Sequence, residues 1–382
     1  MAAWQHQLIP VKTLPSGAVL NLDCYTITGT RPGPTVYLQA SLHGAEIQGQ
    51  GVLYYLMQYL LSHEFAGQII MIPQANPMAV NHKELTHTLG RYNPLSGNNW
   101  NRCYVDLAKD LNFDFKAWAK AHQNLPAAAL RAAFKSAWQQ SLNDFKANPY
   151  GMSDDRALCA TLQSIACRAD YVIDLHAAIN GTYYLYAAED DPLAAAWPLP
   201  YIIRIPYVFA GALDEASFMP WFHLKKALHD LGKDLTTELS FASYTVELGS
   251  EECFSAAQSQ KDLNYLLSFL HQIGTIFEKA PAPLAAKTYQ SQLANFKTYY
   301  APTSGLVDFA AAPGTIVPAG APLAHFLAWP ERTTVEAFQQ ELPTLQALKT
   351  AAVLNHSNSN LAVQGQELIQ VLEELEEVSR PN

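Results

Sequence analysis

Thr35-Val36-Tyr37-Leu38-Gln39-Ala40 runs directly into Ser41-Leu42-His43-Gly44-Ala45-Glu46 and then into the stretch from Ile47 to Leu61. The opening residues are a short apolar run, the pattern of a strand buried on both faces. The closing stretch carries apolar residues at helical spacing. A strand, a short turn and a helix make the first step of an α/β sheet. In such sheets ligands gather where the strands end.

Outward from this stretch the same alternation continues. Pro32-Gly33-Pro34 is the turn that precedes the strand. Ile69-Ile70-Met71-Ile72 is the next strand, closed by Pro73 and the Asn76-Pro77 turn. Tyr171-Val172-Ile173-Asp174-Leu175, Tyr183 to Ala187, Ile202-Ile203-Arg204-Ile205 and Tyr244-Thr245-Val246-Glu247-Leu248 read as further strands. Leu263 to Phe277 reads as a long helix. These segments predict an α/β domain over residues 1–285, with a mixed sheet and helices on both of its faces.

Two regions break the pattern. From Asp106 to Asn148, Trp118, Ala121, Leu130, Phe134, Trp138 and Leu142 recur at helical spacing, with Pro126 between two segments. This predicts a helical hairpin inserted at about 106–149, either shaping the site or decorating the fold. Near Pro281 to Pro283 the texture changes again. Beyond it come Gly-rich runs such as Pro313-Gly314-Thr315-Ile316-Val317 and Leu361-Ala362-Val363-Gln364-Gly365. Short strands with Gly turns predict a small all-β barrel or sandwich over 286–378. A helix from Ala337 to Thr350 is expected to interrupt it, and the acidic tail after Glu373 is expected to fray.

Composition narrows the function classes. The chain has 382 residues and a formal net charge of −10, with 24 basic and 34 acidic side chains. That charge disfavours a nucleic-acid partner, which needs a dense field of Lys and Arg. The cysteines Cys24, Cys103, Cys159, Cys167 and Cys253 are odd in number and form no C-x-x-C, so no disulfide framework is expected. Met1 to Pro10 shows no signal-peptide pattern, and no apolar run is long enough for a membrane span. A cytoplasmic protein with no membrane partner is the expectation; a homo-oligomer stays open.

The chemistry is carried by polar residues at strand ends. His43 and Glu46 are three residues apart, so one helical turn can aim both at one point. An imidazole and a carboxylate suit Zn²⁺. His176, just after the strand Tyr171 to Leu175, is the natural third ligand and leaves a coordination position open for water. The H-x-x-E spacing alone does not separate a metal pair from two exposed side chains on a first helical turn. Glu247 sits among β-branched and apolar residues. It is either an edge carboxylate facing water or a buried one, where desolvation lifts its pKa towards that of a useful general base. Arg102, after Asn101, has the fork geometry to grip a substrate carboxylate. Arg91 is a candidate for polarising a scissile carbonyl. His82, His87 and His122 read as solvated, and Tyr183, Tyr184 and Tyr186 as core.

Taken in order, His43-x-x-Glu46, Asn101-Arg102, Asp174-Leu175-His176 and Glu247-Leu248-Gly249 resemble the succinylglutamate desuccinylase/aspartoacylase family. That family belongs to the zinc carboxypeptidase-like group. The resemblance covers roughly residues 30 to 280, and the Gly-rich C-terminal segment looks like the family's second domain. It implies one zinc per chain on His43, Glu46 and His176, with Glu247 as general base and then acid. It also implies that Arg102 and Asn101 bind the carboxylate of a small-molecule substrate. The stretch Asn93 to Asn99 is longer than the family usually places between its carbonyl-polarising arginine and the Asn-Arg pair, and the hairpin at 106–149 also departs from compact members. The expected activity is hydrolysis of the amide of an N-acyl amino acid. A carboxypeptidase with the same site and a non-catalytic binding or carrier protein are the rival readings.

Overall fold

The computed structural model describes residues 3–235, 237–278, 287–329 and 334–379. The expected boundary at Pro281 to Pro283 lies outside the described residues. In chain order the first strands are β1 (Ala3–Thr13), β2 (Val19–Thr28), β3 (Arg31–Ala40) and β4 (Ala66–Ile72), with helix α1 (Gln48–Ser62) between β3 and β4. Helix α2 (Pro77–Val80) and the small hairpin β5 (Lys83–Glu84) and β6 (His87–Thr88) follow. Helices α3 (Phe115–His122), α4 (Ala127–Lys146) and α5 (Asp154–Ala166) precede β7 (Tyr171–Ala178), β8 (Tyr183–Ala188) and β9 (Tyr201–Ile205). Then come α6 (Leu213–His229), β10 (Ala242–Ser250) and α7 (Ala256–Gln272).

These strands, with β11 (Thr288–Gln292) and β20 (Glu376–Val378), form a 10-stranded mixed sheet ordered β1-β2-β4-β3-β7-β10-β8-β9-β11-β20. The centre, β4-β3-β7-β10, is parallel. Its strands are buried on both faces, which explains their continuous apolar runs. Leu38, Ile173, Leu175, Tyr244, Val246, Leu185 and Ile202 belong to one core that also takes Leu53 and Leu56 of α1 and Leu266 and Phe269 of α7. Residues of opposite parity, Tyr37 and Val172 among them, share a second core with Leu158 and Leu162 of α5 and Leu213 of α6. The prediction of a mixed sheet covered on both faces holds. No helix among the described residues is long and apolar enough to cross a membrane.

The remaining strands are β12 (Phe296–Tyr300), β13 (Gly305–Phe309), β14 (Ile316–Val317), β15 (Pro322–Leu327), β16 (Thr344–Gln346), β17 (Ala351–His356), β18 (Leu361–Ala362) and β19 (Glu367–Glu373). They make two four-stranded sheets, β12-β19-β17-β14 and β16-β15-β13-β18. Val307, Phe326, Val353, Ile369 and Val371 share the core of this all-β unit.

Several local expectations are corrected. No helix spans Ala337 to Thr350. A short α8 (Val335–Phe338) stops before Pro343, and Thr344–Gln346 pairs with β15 instead. Pro343 has no N–H to donate within a helix, and β15 supplies a pairing partner for the residues after it. The acidic tail does not fray at Glu376–Val378, because it pairs with β11 and Lys287 Nζ meets Glu377 at 2.8 Å. Helix α7 starts earlier than Leu263: Ser255 caps it by accepting from Gln258 N. It also ends before Phe277, where Gly274 takes a positive φ. The helices α3 and α4 do form a pair at Pro126. They share a core with Trp221 and Leu224 of α6, and Arg131 and Lys135 pair with Asp170 beside the first residue of β7.

Candidate active site

The site forms at the C-terminal ends of β3, β7 and β10. His43 and Glu46 do not lie on a helical turn, as their spacing allowed, but in the loop before α1. Ser41 begins that loop at φ 55°, and its hydroxyl donates to Glu46 O at 2.9 Å. Glu46 N closes a turn on His43 O at 3.2 Å. Gly44 lets this loop lie on α2: a Cβ there would fall 2.2 Å from Ala79 O. Gly44→Ala is therefore expected to displace the loop, cost about 1–3 kcal/mol of stability and weaken metal retention. Melting temperature and bound zinc of the purified variant check this; full retention of both would contradict it.

β3 and β7 are parallel neighbours, and that pairing brings Glu46 to His176 across 130 residues of sequence. His176 lies inside β7 rather than after it. Glu46 Oε1 is 2.7 Å from His43 Nδ1, and its Oε2 is 2.6 Å from His176 Nδ1. All three side chains are buried, and one ligand atom from each lies within 4.8 Å of the others. The opposite ring nitrogens face acceptors. His43 Nε2 is 2.8 Å from Asn99 Oδ1, and His176 Nε2 is 2.9 Å from Asp174 Oδ2, though out of line for a good hydrogen bond. A proton on Nε2 would leave each Nδ1 lone pair turned on the carboxylate. Two imidazoles and a carboxylate, buried and converging on one point, are a zinc donor set. The residues present therefore fit the metal that the motif implies.

The charges of the cluster are strongly interdependent. Burial pushes the Glu46 carboxyl up, but the two histidines outweigh it and hold that carboxyl well below its usual range. Burial alone would lower His176, yet the Asp174 and Glu46 charges carry it well above its usual value. Glu247 is the β10 partner of His176 in the parallel register. Burial, then the Glu46 charge, pushes its carboxyl up to about 7. Its Oε2 is buried with no hydrogen-bond partner. Two carboxylates a strand apart are thus driven in opposite directions, the pattern that separates a ligand from a proton carrier.

Arg91 reaches the centre, with Nη1 donating to Glu46 Oε1 at 3.2 Å. The longer stretch beyond it is tied down rather than loose: Asn93, Ser96 and Asn98 bind the carboxylates of Asp154 and Asp155 at the start of α5. Asn101 and Arg102 sit on a short 3₁₀ turn. Arg102 Nη1 donates to Asn101 O at 2.7 Å, and its guanidinium forms no ion pair among the described residues. It is exposed and free to take an anion. His82, His87 and His122 stay away from this cluster. Sequence reasoning missed Asn99, which nothing in the run Asn98-Asn99 marks. It also missed Glu251, whose carboxyl burial pushes up to about 7 near Glu46 and Arg91.

The comparisons with known proteins give the family and the fold. The model of the succinylglutamate desuccinylase/aspartoacylase catalytic domain matches residues 32–273. A family protein of Shewanella amazonensis is 34% identical, covers 98% of this chain and 100% of its own, and superposes with a TM-score of 0.92. One from Shewanella frigidimarina is 31% identical over 100% of both chains, also at 0.92. The ectoine utilization protein EutE of Ruegeria pomeroyi, 17% identical over 97% of this chain and 94% of its own, shares the fold at 0.64. No curated protein matches the chain.

Proposed function

This chain belongs to the succinylglutamate desuccinylase/aspartoacylase family of amide-hydrolysing enzymes, and from that premise we propose a zinc-dependent amidohydrolase acting on N-acyl amino acids or similar small carboxylates. The observation that carries the reading is the buried His43-Glu46-His176 cluster with Glu247 beside it on the next strand. His43, Glu46 and His176 would hold the metal. Bound there, zinc supplies the Lewis acidity that makes water a nucleophile near neutral pH and polarises the scissile carbonyl.

Every other step falls to side chains. Glu247 takes the proton of the attacking water and delivers it to the leaving amine nitrogen. Arg91, already at the rim of the cluster, offers its guanidinium to the carbonyl oxygen as negative charge develops. Arg102, positioned by the turn at Asn101, binds the substrate carboxylate and fixes its distance from the scissile bond. Asn99 orients the His43 imidazole, and the Asp174 carboxylate sets a negative charge beside the His176 ring.

Zinc analysis of unchelated protein, paired with a hydrolysis panel of N-acyl amino acids and short peptides, tests the reading. One zinc per chain and zinc-restored cleavage of N-acyl amino acids is the expected result. Protein that binds no zinc and cleaves no amide would end it, and preference for peptides would move it to a carboxypeptidase. Arg102→Gln is expected to raise KM for carboxylate substrates about 10–100-fold, from loss of a charge-assisted bidentate contact. Steady-state kinetics against an amide analogue of the same substrate checks this, since that analogue should not notice the change.

A further inference from the structure

The all-β unit meets the catalytic sheet along β17, among other contacts. β17 meets the chain just before β8: Thr182 N donates to Leu354 O at 2.9 Å, His356 N donates to Asn180 O at 3.0 Å, and Gly181 pairs with Asn355. Ala352, Leu354 and Leu372 of that unit share a core with Tyr184, Tyr201 and Ile203. Tyr184 is the antiparallel partner of Glu247 on β8, just as His176 is its parallel partner on β7. His176, Glu247 and Tyr184 therefore form one row across three strands on one face.

Tyr184 is 2% exposed. Its hydroxyl lies against the Asn355 amide and the Tyr186 hydroxyl, and the rings of Tyr184 and Tyr186 meet edge to face at 5.6 Å. Asn355 is itself fixed: its Nδ2 donates to Gln370 Oε1 at 2.6 Å, and a register shift in the β17–β19 pairing falls beside it. Glu247, in contrast, has a buried Oε2 without any hydrogen bond. A terminal carboxylate torsion is soft, so what fixes this one is the packing of its row neighbours.

We propose that the all-β unit positions the general base, with Asn355 holding Tyr184 and Tyr184 walling Glu247 into line with the metal cluster. This rests on the zinc-hydrolase reading only for what Glu247 does; the mechanical coupling stands on the contacts above. Tyr184 and Asn355 are positioning residues and need not touch substrate.

The test is a double-mutant cycle of Tyr184→Phe and Asn355→Leu in the full chain, with two readouts. Kinetically, each single variant is expected to lower kcat about tenfold by misplacing the base, with KM within about twofold and zinc content unchanged. The double variant should be no worse than the weaker single one, because both act through one linkage. Independently of activity, deuterium uptake over β10, residues 242–250, should rise in Asn355→Leu. Unchanged kcat in both singles, losses that multiply in the double, or unaltered uptake over β10 would each overturn the proposal. Wild-type protein without zinc-dependent amide hydrolysis would instead overturn the function, and the uptake measurement would still decide the coupling.

Discussion

Glu247→Gln should retain zinc at the wild-type stoichiometry and lower kcat by about two to four orders of magnitude. The amide keeps the size and the strand position of the side chain but cannot accept the proton of water. Because Glu247 is the register partner of His176 and not one of the three clustered ligands, the metal has no reason to leave. The variant should also lose the acidic limb of the kcat/KM profile. In the wild type, burial and the Glu46 charge push this carboxyl up to about 7. A base is active when deprotonated, so kcat/KM should fall as pH drops through the folded pKa. Bound zinc adds positive charge beside the carboxylate and draws that limb to or below 7. Loss of zinc from Glu247→Gln would make Glu247 a ligand instead, and an unchanged kcat would remove it from the mechanism.

His176→Ala should abolish both zinc binding and turnover. It deletes one of three ligand atoms and leaves Glu46, buried and charged, with one imidazole fewer to compensate it. Asp174→Asn makes the informative contrast. It leaves all three ligands in place and removes the negative charge beside His176 Nε2. Removal of such an outer partner weakens metal affinity by about 10–100-fold. The order of zinc affinity should therefore be wild type, then Asp174→Asn, then His176→Ala, measured by competition with a chelator. A His176→Ala protein that holds zinc as tightly as wild type would refute the ligand assignment.

The two experiments separate roles that sit one strand apart. Burial pushes both Glu46 and Glu247 up, and they part because Glu46 has two imidazoles against it, while the buried Glu247 oxygen has no partner. Arg91 joins the first of these carboxylates from a loop anchored to α5, which is why a longer intervening stretch still delivers the guanidinium to the centre.

Much of this was legible in the chain itself. Continuous apolar runs marked the central strands, because strands covered on both faces have no polar side to show. His43, Glu46, His176 and Glu247 were legible for a related reason: polar residues set at the ends of such runs stand out against them. The motif order, His43-x-x-Glu46 through Glu247-Leu248-Gly249, then pointed to the family. Local pattern failed where local propensity competed with distant pairing. The segment after Ala337 has helical composition, yet Thr344–Gln346 joins β15, and the acidic Glu376–Val378 joins β11. Only the tertiary structure decided the registers. It placed Glu247 between His176 and Tyr184, set Asn99 behind His43, and brought Asn355 to Tyr184. These contacts join residues far apart in sequence, and their register is fixed by packing across the sheet rather than by any property of the segments taken alone.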